Sequence, residues 1–231
     1  MDIKNKVVII TGASQGIGLE TAKLLGQQGA RLVLAARSHD KIHELAKGFP
    51  DSLAVTTDMR KPGDIKNLVE QTVKKYGRID LLINNAGQGM YGPVEKIDLD
   101  LYKDIMDLNV YAVVRAMQAV IPQMRQQGGG MILNVSSRVS KNYFPFLAAY
   151  ASTKYALNAI SLTARAELER DKVIVGVFHP KMTSTDFAKN AVGTRPDWSN
   201  RPGPKPEVDT PEQVAAQIAR QIESEEPEAS M

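Results

Sequence analysis

Residues 6–18 read KVVIITGASQGIG, a short apolar run followed by a turn with three glycines. The run Lys6–Thr11 is rich in β-branched residues, which favour a buried strand. Gly16–Gln28 follows with helix-forming residues and apolar positions at helical spacing. Glycines between a strand and a helix permit a tight turn, and they let a phosphate approach the backbone N–H groups at the positive helix end. The stretch therefore predicts a strand–turn–helix unit that binds a phosphate.

Strand-like and helix-like segments alternate along the rest of the chain. The strand candidates are nearly continuously apolar, as expected when helices cover both faces of a parallel sheet. They are Arg31–Ala36, Leu53–Thr57, Ile79–Ile83, Met131–Ser136 and Lys172–Phe178. The helix candidates are Lys41–Lys47, Ile65–Tyr76, Leu101–Arg125, Tyr150–Arg170 and, with Thr210 as its cap, Pro211–Glu223. The alternation predicts an α/β fold with a doubly wound parallel β-sheet, flanked by helices on both faces, in a single domain of residues 1–231.

Two stretches depart from this alternation. Residues 195–210 are rich in proline and contain Trp198, the only tryptophan. Together with the residues from 180 onward, they form either an ordinary loop or a lid over a site, because long loops in compact domains are often functional. The acidic tail, residues 223–231, is expected to be frayed or at most a brief edge strand.

The composition excludes several classes of function. Of the 231 residues, 43% are hydrophobic and none is cysteine, which excludes disulfides, thiolate metal ligands and a thiol nucleophile and suits a reducing compartment. No apolar run approaches the ~20 residues that span a bilayer, and the first residues lack the apolar stretch of a secretory signal. The 29 basic and 26 acidic residues are scattered, whereas a nucleic-acid binder gathers its basic residues. We therefore expect a cytoplasmic protein without a membrane or nucleic-acid partner.

Residues 148–157 read AAYASTKYAL and place two tyrosines near one lysine. On a helix, Tyr150 and Lys154 share a face because they are four residues apart, whereas Tyr155 is rotated by roughly 100° from Lys154. A tyrosine with its ordinary pKa of ~10 is a weak acid at neutral pH. A neighbouring ammonium group lowers that pKa, and the phenol then donates a proton to a carbonyl or accepts one from an alcohol. Tyr150 is therefore the candidate proton donor, and Tyr155 is expected to serve packing.

Several landmarks occur in a fixed order along the chain. They are the glycine turn with Gly12, Gly16 and Gly18, the segment Asn84-Asn-Ala-Gly87 after the fourth strand, Asn109 in the long helix, Ser136-Ser137 at the end of the fifth strand, and Tyr150-x-x-x-Lys154. Together they resemble the short-chain dehydrogenase/reductase family, whose glycine turn reads T-G-x-x-x-G-x-G. The resemblance covers most of the chain. It implies a Rossmann fold, a nicotinamide nucleotide cofactor, and hydride transfer to or from a small-molecule carbonyl or alcohol substrate.

The resemblance also implies the roles of four residues. Tyr150 is the proton donor, and Lys154 lowers its pKa and holds the hydroxyls of the nicotinamide ribose. Ser137 orients the substrate oxygen, and Asn109 holds a water that links Lys154 to solvent. Ser136 competes for the serine role, but the thirteen-residue step from Ser137 to Tyr150 matches the family spacing. Ser137 is therefore the predicted catalytic serine, and Ser136 is interpreted as a strand-end hydroxyl.

The cofactor is predicted to be NADP(H) rather than NAD(H). Ala36 stands at the end of the second strand, where NAD-preferring relatives carry an aspartate, and Arg37 follows it. An arginine binds a phosphate through paired hydrogen bonds, and Ser14 assists from the glycine turn. Asp58 matches the family position that contacts adenine, although a loop or capping aspartate is its alternative. The predicted cofactor contacts are Gly12, Ser14, Gln15, Gly16, Ile17, Gly18, Arg37, Asp58, Met59, Asn85, Ala86, Gly87, Tyr150, Lys154, Pro180, Thr183 and Thr185.

The family pattern is broken at two places. After Pro180 the family carries a glycine, and Lys181 stands here instead, which is strained if that position needs a positive φ. His179, directly before Pro180, is interpreted as structural. The chain ends soon after Pro227, whereas relatives continue into a tail that supports a tetramer. We therefore expect a homo-oligomer, with a dimer through the long helices favoured.

These observations predict an NADP(H)-dependent oxidoreductase that acts on a ketone or a secondary alcohol. The segments expected to line its pocket carry mostly apolar side chains, which favours an apolar substrate. These side chains are Met90, Tyr91, Tyr143, Phe144, Phe146, Phe187 and Trp198. The alternatives are a 3-oxoacyl-thioester reductase of the same family and a non-catalytic NADP-binding regulator. The glycine spacing and the modest length disfavour a nucleotide-sugar epimerase.

Overall fold

Seven parallel strands form the central sheet of the protein. A computed structural model describes residues 1–197 and 207–231 of the chain. The strands of this sheet and of a separate two-stranded pair are β1 (Val7–Thr11), β2 (Arg31–Ala36), β3 (Leu53–Thr56), β4 (Leu81–Asn84), β5 (Met90–Tyr91), β6 (Gly130–Val135), β7 (Val173–His179), β8 (Val192–Gly193) and β9 (Glu228–Ser230). The order in the sheet is β3-β2-β1-β4-β6-β7-β9, and β5 and β8 form a separate parallel pair.

Helices cover both faces of this sheet. They are α1 (Gly16–Gln27), α2 (His39–Lys47), α3 (Pro62–Tyr76), α4 (Leu99–Met106), α5 (Ala112–Gln126), α6 (Ala148–Glu167) and α7 (Pro211–Ser224). Successive side chains of a strand point to opposite faces, so Val7 and Ile9 belong to one buried apolar cluster and Val8 and Ile10 to another. The predicted doubly wound α/β fold in a single domain is thereby confirmed.

Two predicted segments take a more detailed form in the structure. The long helix predicted at residues 101–125 consists of α4 and α5, joined by a π-helical turn at Asp107–Tyr111. The tail forms β9, which pairs with β7, so the brief edge strand is observed and the frayed tail is not. Thr210 caps α7 as predicted, in a capping box with Gln213.

The proline-rich stretch lies partly outside the described residues. Trp198 falls within residues 198–206, so the segment predicted to be either an ordinary loop or a lid is described only at residues 180–197 and 207–210. At one end, Asp209 donates its backbone N–H to the Met182 oxygen at 2.9 Å, and it forms an isolated β-bridge with Thr183.

Within residues 1–197 and 207–231, no helix has both the length and the apolar content to cross a membrane.

The strand order determines where a ligand binds. The chain builds β2 and β3 on one side of β1 and then places β4, β6 and β7 on the other side. In open α/β sheets, ligands bind at the carboxyl ends of the strands, where the order reverses. The glycine turn follows β1, and Asn84-Asn-Ala-Gly87 follows β4. Both segments therefore line the same crevice.

Candidate active site

Three glycines bring the turn after β1 against the end of β4. Gly12 and Gly16 have φ angles of +68° and +56°, a region that residues with a Cβ rarely adopt. At Gly18, a Cβ atom would lie 2.4 Å from both the Gly12 oxygen and the Asn85 Nδ2. Glycine at these positions therefore permits both the turn and the close approach of α1 to the strands.

The N-terminus of α1 has no side-chain cap. Its N-cap Gln15 is extended and exposed, and its side chain makes no capping hydrogen bond, in contrast to Thr210 at α7. The N–H groups of the first turn and the positive end of the helix dipole are therefore available to an anion. Ser14 and Ile17 lie half-buried beside them. This cradle of glycines and free donors fits the diphosphate of a nicotinamide nucleotide.

Asn85 fastens the end of β4 to the glycine turn. Its Nδ2 donates to the oxygens of Thr11 and Gly12, at 2.9 and 3.3 Å. In return, the Thr11 hydroxyl oxygen accepts from the backbone N–H groups of Asn85 and Ala86, at 3.0 and 3.1 Å. The Asn85 amide therefore shapes the cradle, and the contact of Asn85 and Ala86 with the adenosine ribose stays a prediction.

The residues predicted to choose the nucleotide lie at the ends of β2 and β3. Arg37 is exposed directly after β2, and in the described part of the chain it makes no hydrogen bond or ion pair. Asp58 is half-buried, and its Oδ1 accepts from the Arg60 N–H at 3.1 Å, while Met59 is buried. Asp58 thus acts as a loop acceptor, as its alternative reading proposed, and its contact with adenine stays a prediction.

Tyr150 and Lys154 are buried together on the face of α6 that meets the crevice. Their exposures are 7% and 5%, and the Lys154 Nζ lies 5.9 Å from the centre of the Tyr150 ring and donates to the Val135 oxygen at 2.9 Å. Burial lowers the pKa of Lys154 to about 8. Burial also raises the pKa of Tyr150, and a hydrogen bond with Ser137 opposes this less strongly. The phenol therefore carries its proton at neutral pH, and burial outweighs the lowering expected from Lys154.

The two neighbouring serines have different surroundings. Ser137 is half-buried, lies near enough to Tyr150 to lower the pKa of its phenol, and accepts from the Val139 N–H at 3.3 Å. Ser136 is buried and donates its hydroxyl to the Asn158 Oδ1 at 2.6 Å. Ser137 is thus the serine that lies near the Tyr150 phenol, and Ser136, directly after β6, is hydrogen-bonded to α6 through Asn158.

Asn109 lies fully buried in the π-helical turn between α4 and α5. Its Oδ1 accepts from the Gln88 N–H at 2.9 Å, and its Nδ2 donates to the Gln88 oxygen at 2.9 Å and to the Thr153 Oγ1 at 3.1 Å. A Cβ at Gly87 would lie 3.2 Å from the Asn109 Oδ1 and 3.8 Å from the Lys154 Nζ. Asn109 therefore holds the chain after β4 against α6. Its predicted water stays a prediction.

The segment after β7 returns over the glycine turn. A Cβ at Gly16 would lie 3.0 Å from the Thr185 Cγ2, so Thr185 covers the start of α1. Thr183 is half-buried, and the Pro180 oxygen accepts from the Arg138 N–H at 3.0 Å. Lys181 does not adopt a positive φ, and it forms ion pairs with Glu207 and Asp209. Replacement of the family glycine is therefore not strained, because the backbone keeps an ordinary conformation.

The aromatic ring of Phe187 packs beside the ring of Tyr150. The Phe187 ring centre lies 5.6 Å from that of Tyr150, with 54° between the planes. A Cβ at Gly89 would lie 3.0 Å from the Phe187 ring, so glycine gives this ring its space. Phe146 has a φ of +68°, and its oxygen accepts from the Gly92 N–H at 2.9 Å. Tyr155 is exposed, and its ring stacks on that of Tyr143 with ring centres 6.2 Å apart.

The sequence did not reveal the role of Gln88, which lies just after the Asn-Asn-Ala-Gly segment. Its Oε1 accepts from Arg60 Nη2 at 2.8 Å, and its Nε2 donates to the Asn190 oxygen at 3.0 Å. Gln88 thereby connects the loop after β3 with the segment before β8. The partners are 28 and 102 residues away in the chain, so no local pattern in the sequence predicts these contacts.

Comparisons with known proteins agree with this geometry. Residues 6–195 match the family model described as short chain dehydrogenase. An uncharacterized oxidoreductase of Staphylococcus saprophyticus is 40% identical over 195 residues, which cover 84% of this chain and 76% of the relative.

Two solved structures are also similar. The alcohol dehydrogenase of the archaeon Thermococcus sibiricus, complexed with 5-hydroxy-NADP, has a TM-score of 0.85 and 25% identity, and the match covers 99% of this chain and 96% of that one. The 3-ketoacyl-(acyl-carrier-protein) reductase of Brucella melitensis, complexed with NADH, has a TM-score of 0.86 and 27% identity, over 95% of this chain and 91% of that one.

The fold, the cradle and these matches define an oxidoreductase of the class that binds nicotinamide nucleotides. The chain belongs to the short-chain dehydrogenase/reductase family. The family resemblance read from Gly12, Gly16, Gly18 and the Tyr150–Lys154 pair is thereby confirmed.

Proposed function

We propose that the protein is an NADP(H)-dependent reductase of ketones, reversible to the secondary alcohols, with Tyr150 as proton donor and acceptor. One observation supports this most strongly: Tyr150 is buried, keeps its proton, has its pKa influenced by nearby Ser137 and shares its helix face with Lys154. A non-catalytic regulator needs no such proton donor beside its cofactor cradle. The residues that would hold the cofactor are those of the glycine turn, Arg37, Lys154 and the Pro180–Thr185 segment.

The bound nicotinamide nucleotide supplies the hydride. Ser137 donates a hydrogen bond to the substrate oxygen and orients it toward the phenol. As negative charge develops on that oxygen, Tyr150 transfers its proton to it and becomes a phenolate. The buried ammonium of Lys154 stabilises this phenolate, and because the pKa of Lys154 is lowered to about 8 the lysine is itself close to giving up a proton. Oxidation of an alcohol runs through the same residues in reverse.

The proposed substrate is a ketone with an apolar body, because Phe187 packs on the Tyr150 ring and Met90 is buried nearby in β5. The solved reductase of Brucella melitensis acts, by its name, on 3-ketoacyl groups, which keeps a 3-oxoacyl thioester as the second candidate. NADPH oxidation over a panel of aromatic ketones, steroid ketones and 3-oxoacyl thioesters tests both candidates. Turnover of the compounds in one of these three groups would identify the substrate class. NADPH binding without turnover on any of them would support the regulator instead.

The predicted homodimer is part of this proposal. Tyr111 in the π-helical turn and Tyr155 on α6 are large, exposed side chains on the two long helical segments through which the dimer is expected to form. A second copy covering these helices would remove both from water. The dimer and the cytoplasmic location stay predictions.

The two serines give a matched pair of variants. We expect Ser137→Ala to lower kcat roughly tenfold to a hundredfold with little change in Tm, because the phenol and the substrate oxygen lose a shared partner. Ser136→Ala leaves the half-buried Asn158 Oδ1 without its donor, so we expect a loss of about 0.5–1.5 kcal/mol of stability and a nearly unchanged kcat. Steady-state kinetics and thermal unfolding of both variants check this. A larger loss of kcat in Ser136→Ala would reverse the assignment.

A further inference from the structure

We propose that His179 and Glu228 are positioning residues that hold the loop carrying Ser137 in its working place. The inference rests on the proposed function, in which Ser137 orients the substrate oxygen. His179 ends β7 and Glu228 begins β9, so neither belongs to the cofactor cradle. Both nevertheless connect to the backbone of Ser137 through an unbroken series of side-chain contacts.

The series begins at the edge strand. The His179 ring is 1% exposed, and its Nε2 lies 2.9 Å from the Glu228 Oε1. On the other side of the ring, its Nδ1 lies 3.4 Å from the Ser140 Oγ. A carboxylate only accepts hydrogen bonds, so Glu228 keeps the proton of the neutral ring on Nε2. The lone pair of Nδ1 then faces Ser140.

Ser140 lies between the His179 ring and the backbone of Ser137 and contacts both. The Ser140 hydroxyl shares its one proton between the Ser137 oxygen at 2.6 Å and, more weakly, the His179 Nδ1 at 3.4 Å, and its oxygen accepts from the Asn158 Nδ2 at 2.8 Å. Asn158, on α6, in turn accepts from the Ser136 hydroxyl at 2.6 Å. The loop is thus held from α6 on one side and from His179 on the other. Fixing the Ser137 carbonyl fixes the peptide plane next to its Cα, and hence the direction of the Cα–Cβ bond that carries its hydroxyl.

Charge also favours this arrangement. Burial lowers the pKa of His179, whereas the facing Glu228 carboxylate raises it, and Lys141 from the loop after β6 lowers it. The ring is therefore neutral at pH 7, so its burial does not carry the free-energy cost of burying a charge. Glu228 also accepts from the Lys141 Nζ at 2.7 Å, in an ion pair that is open to solvent. The three-residue strand β9 brings Glu228 to this place by pairing Ser230 with His179.

Two variants break the series at different points. His179→Phe keeps an aromatic ring of similar shape but removes both nitrogens, and Glu228→Leu removes the acceptor at a partly exposed edge. We expect each to lower kcat about tenfold or more while KM for NADPH stays within twofold, because misplacement of an orienting group by ~1 Å costs up to ~100-fold. We also expect faster hydrogen exchange of residues 136–141, measured without substrate.

Two further variants separate positioning from general structure. Glu228→Gln keeps an oxygen acceptor for Nε2–H, so it should retain most of the wild-type kcat. Lys141→Gln removes the ion pair to the same carboxylate but leaves the contact to His179, so kcat and exchange should match the wild type.

The outcomes distinguish this inference from the proposed function. An active wild type together with fully active His179→Phe and Glu228→Leu proteins overturns the inference alone. So does faster exchange of residues 136–141 without any loss of kcat, since the contacts would then be purely structural. A wild type that reduces no carbonyl overturns the proposed function, and the role of Ser137 with it.

Discussion

Tyr150→Phe should reduce carbonyl turnover by about 10³-fold while the affinity for NADPH stays the same. General acid catalysis contributes typically 10²–10⁴-fold, and a phenylalanine has no proton to give. The ring remains, so its packing on Phe187, with centres 5.6 Å apart, is preserved and the fold should be intact. Steady-state NADPH oxidation measures the turnover. A fluorescence titration with NADPH measures the affinity.

Tyr155→Phe is the matched control for this experiment. It removes the same hydroxyl from the same helix, but Tyr155 is exposed and stacks on Tyr143, away from Ser137 and Lys154. We expect kcat and KM within twofold of the wild type. Substantial turnover by the Tyr150→Phe protein, or a large loss in Tyr155→Phe, would refute Tyr150 as the proton donor.

The part of the site that sequence analysis predicted is local in the chain. The glycine turn, and the pair Tyr150–Lys154 four residues apart, each lie at one junction or on one helix face, so spacing alone describes them. The fold followed for a similar reason, because six apolar runs alternate with helix-like segments and only a parallel sheet with two covered faces accommodates them.

The remaining features depend on contacts between distant segments. Asn85 shapes the glycine turn from 74 residues away, and Gln88 reaches Asn190 across 102 residues. Burial is also collective: spacing predicted that Lys154 lowers the pKa of Tyr150, but the surrounding core raises it. The sequence left open whether Lys181 needs a positive φ, and the structure shows that it does not, because φ depends on the whole path of the segment after β7.

Arg37→Asp should reverse the nucleotide preference. Arg37 is exposed at the end of β2 without a partner in the described part of the chain, so its guanidinium is free for a phosphate. Hydrogen bonds to charged groups contribute about 1.5–3 kcal/mol, and tenfold in affinity corresponds to about 1.4 kcal/mol. We therefore expect KM for NADPH to rise roughly 100-fold. KM for NADH should fall, because the aspartate accepts hydrogen bonds from the ribose hydroxyls and repels a 2′-phosphate.

Arg170→Asp is the control for the change in net charge. Arg170 is also exposed, but it precedes β7 and so lies at the opposite, amino-terminal edge of the sheet. Both substitutions change the charge by the same amount, so a general electrostatic effect on the anionic cofactor would appear in both. We expect the ratio of kcat/KM for NADPH and NADH to change only in Arg37→Asp. An unchanged ratio in that variant would refute NADP(H) selection by Arg37, and the chain would then have to choose its nucleotide by other residues of the cradle.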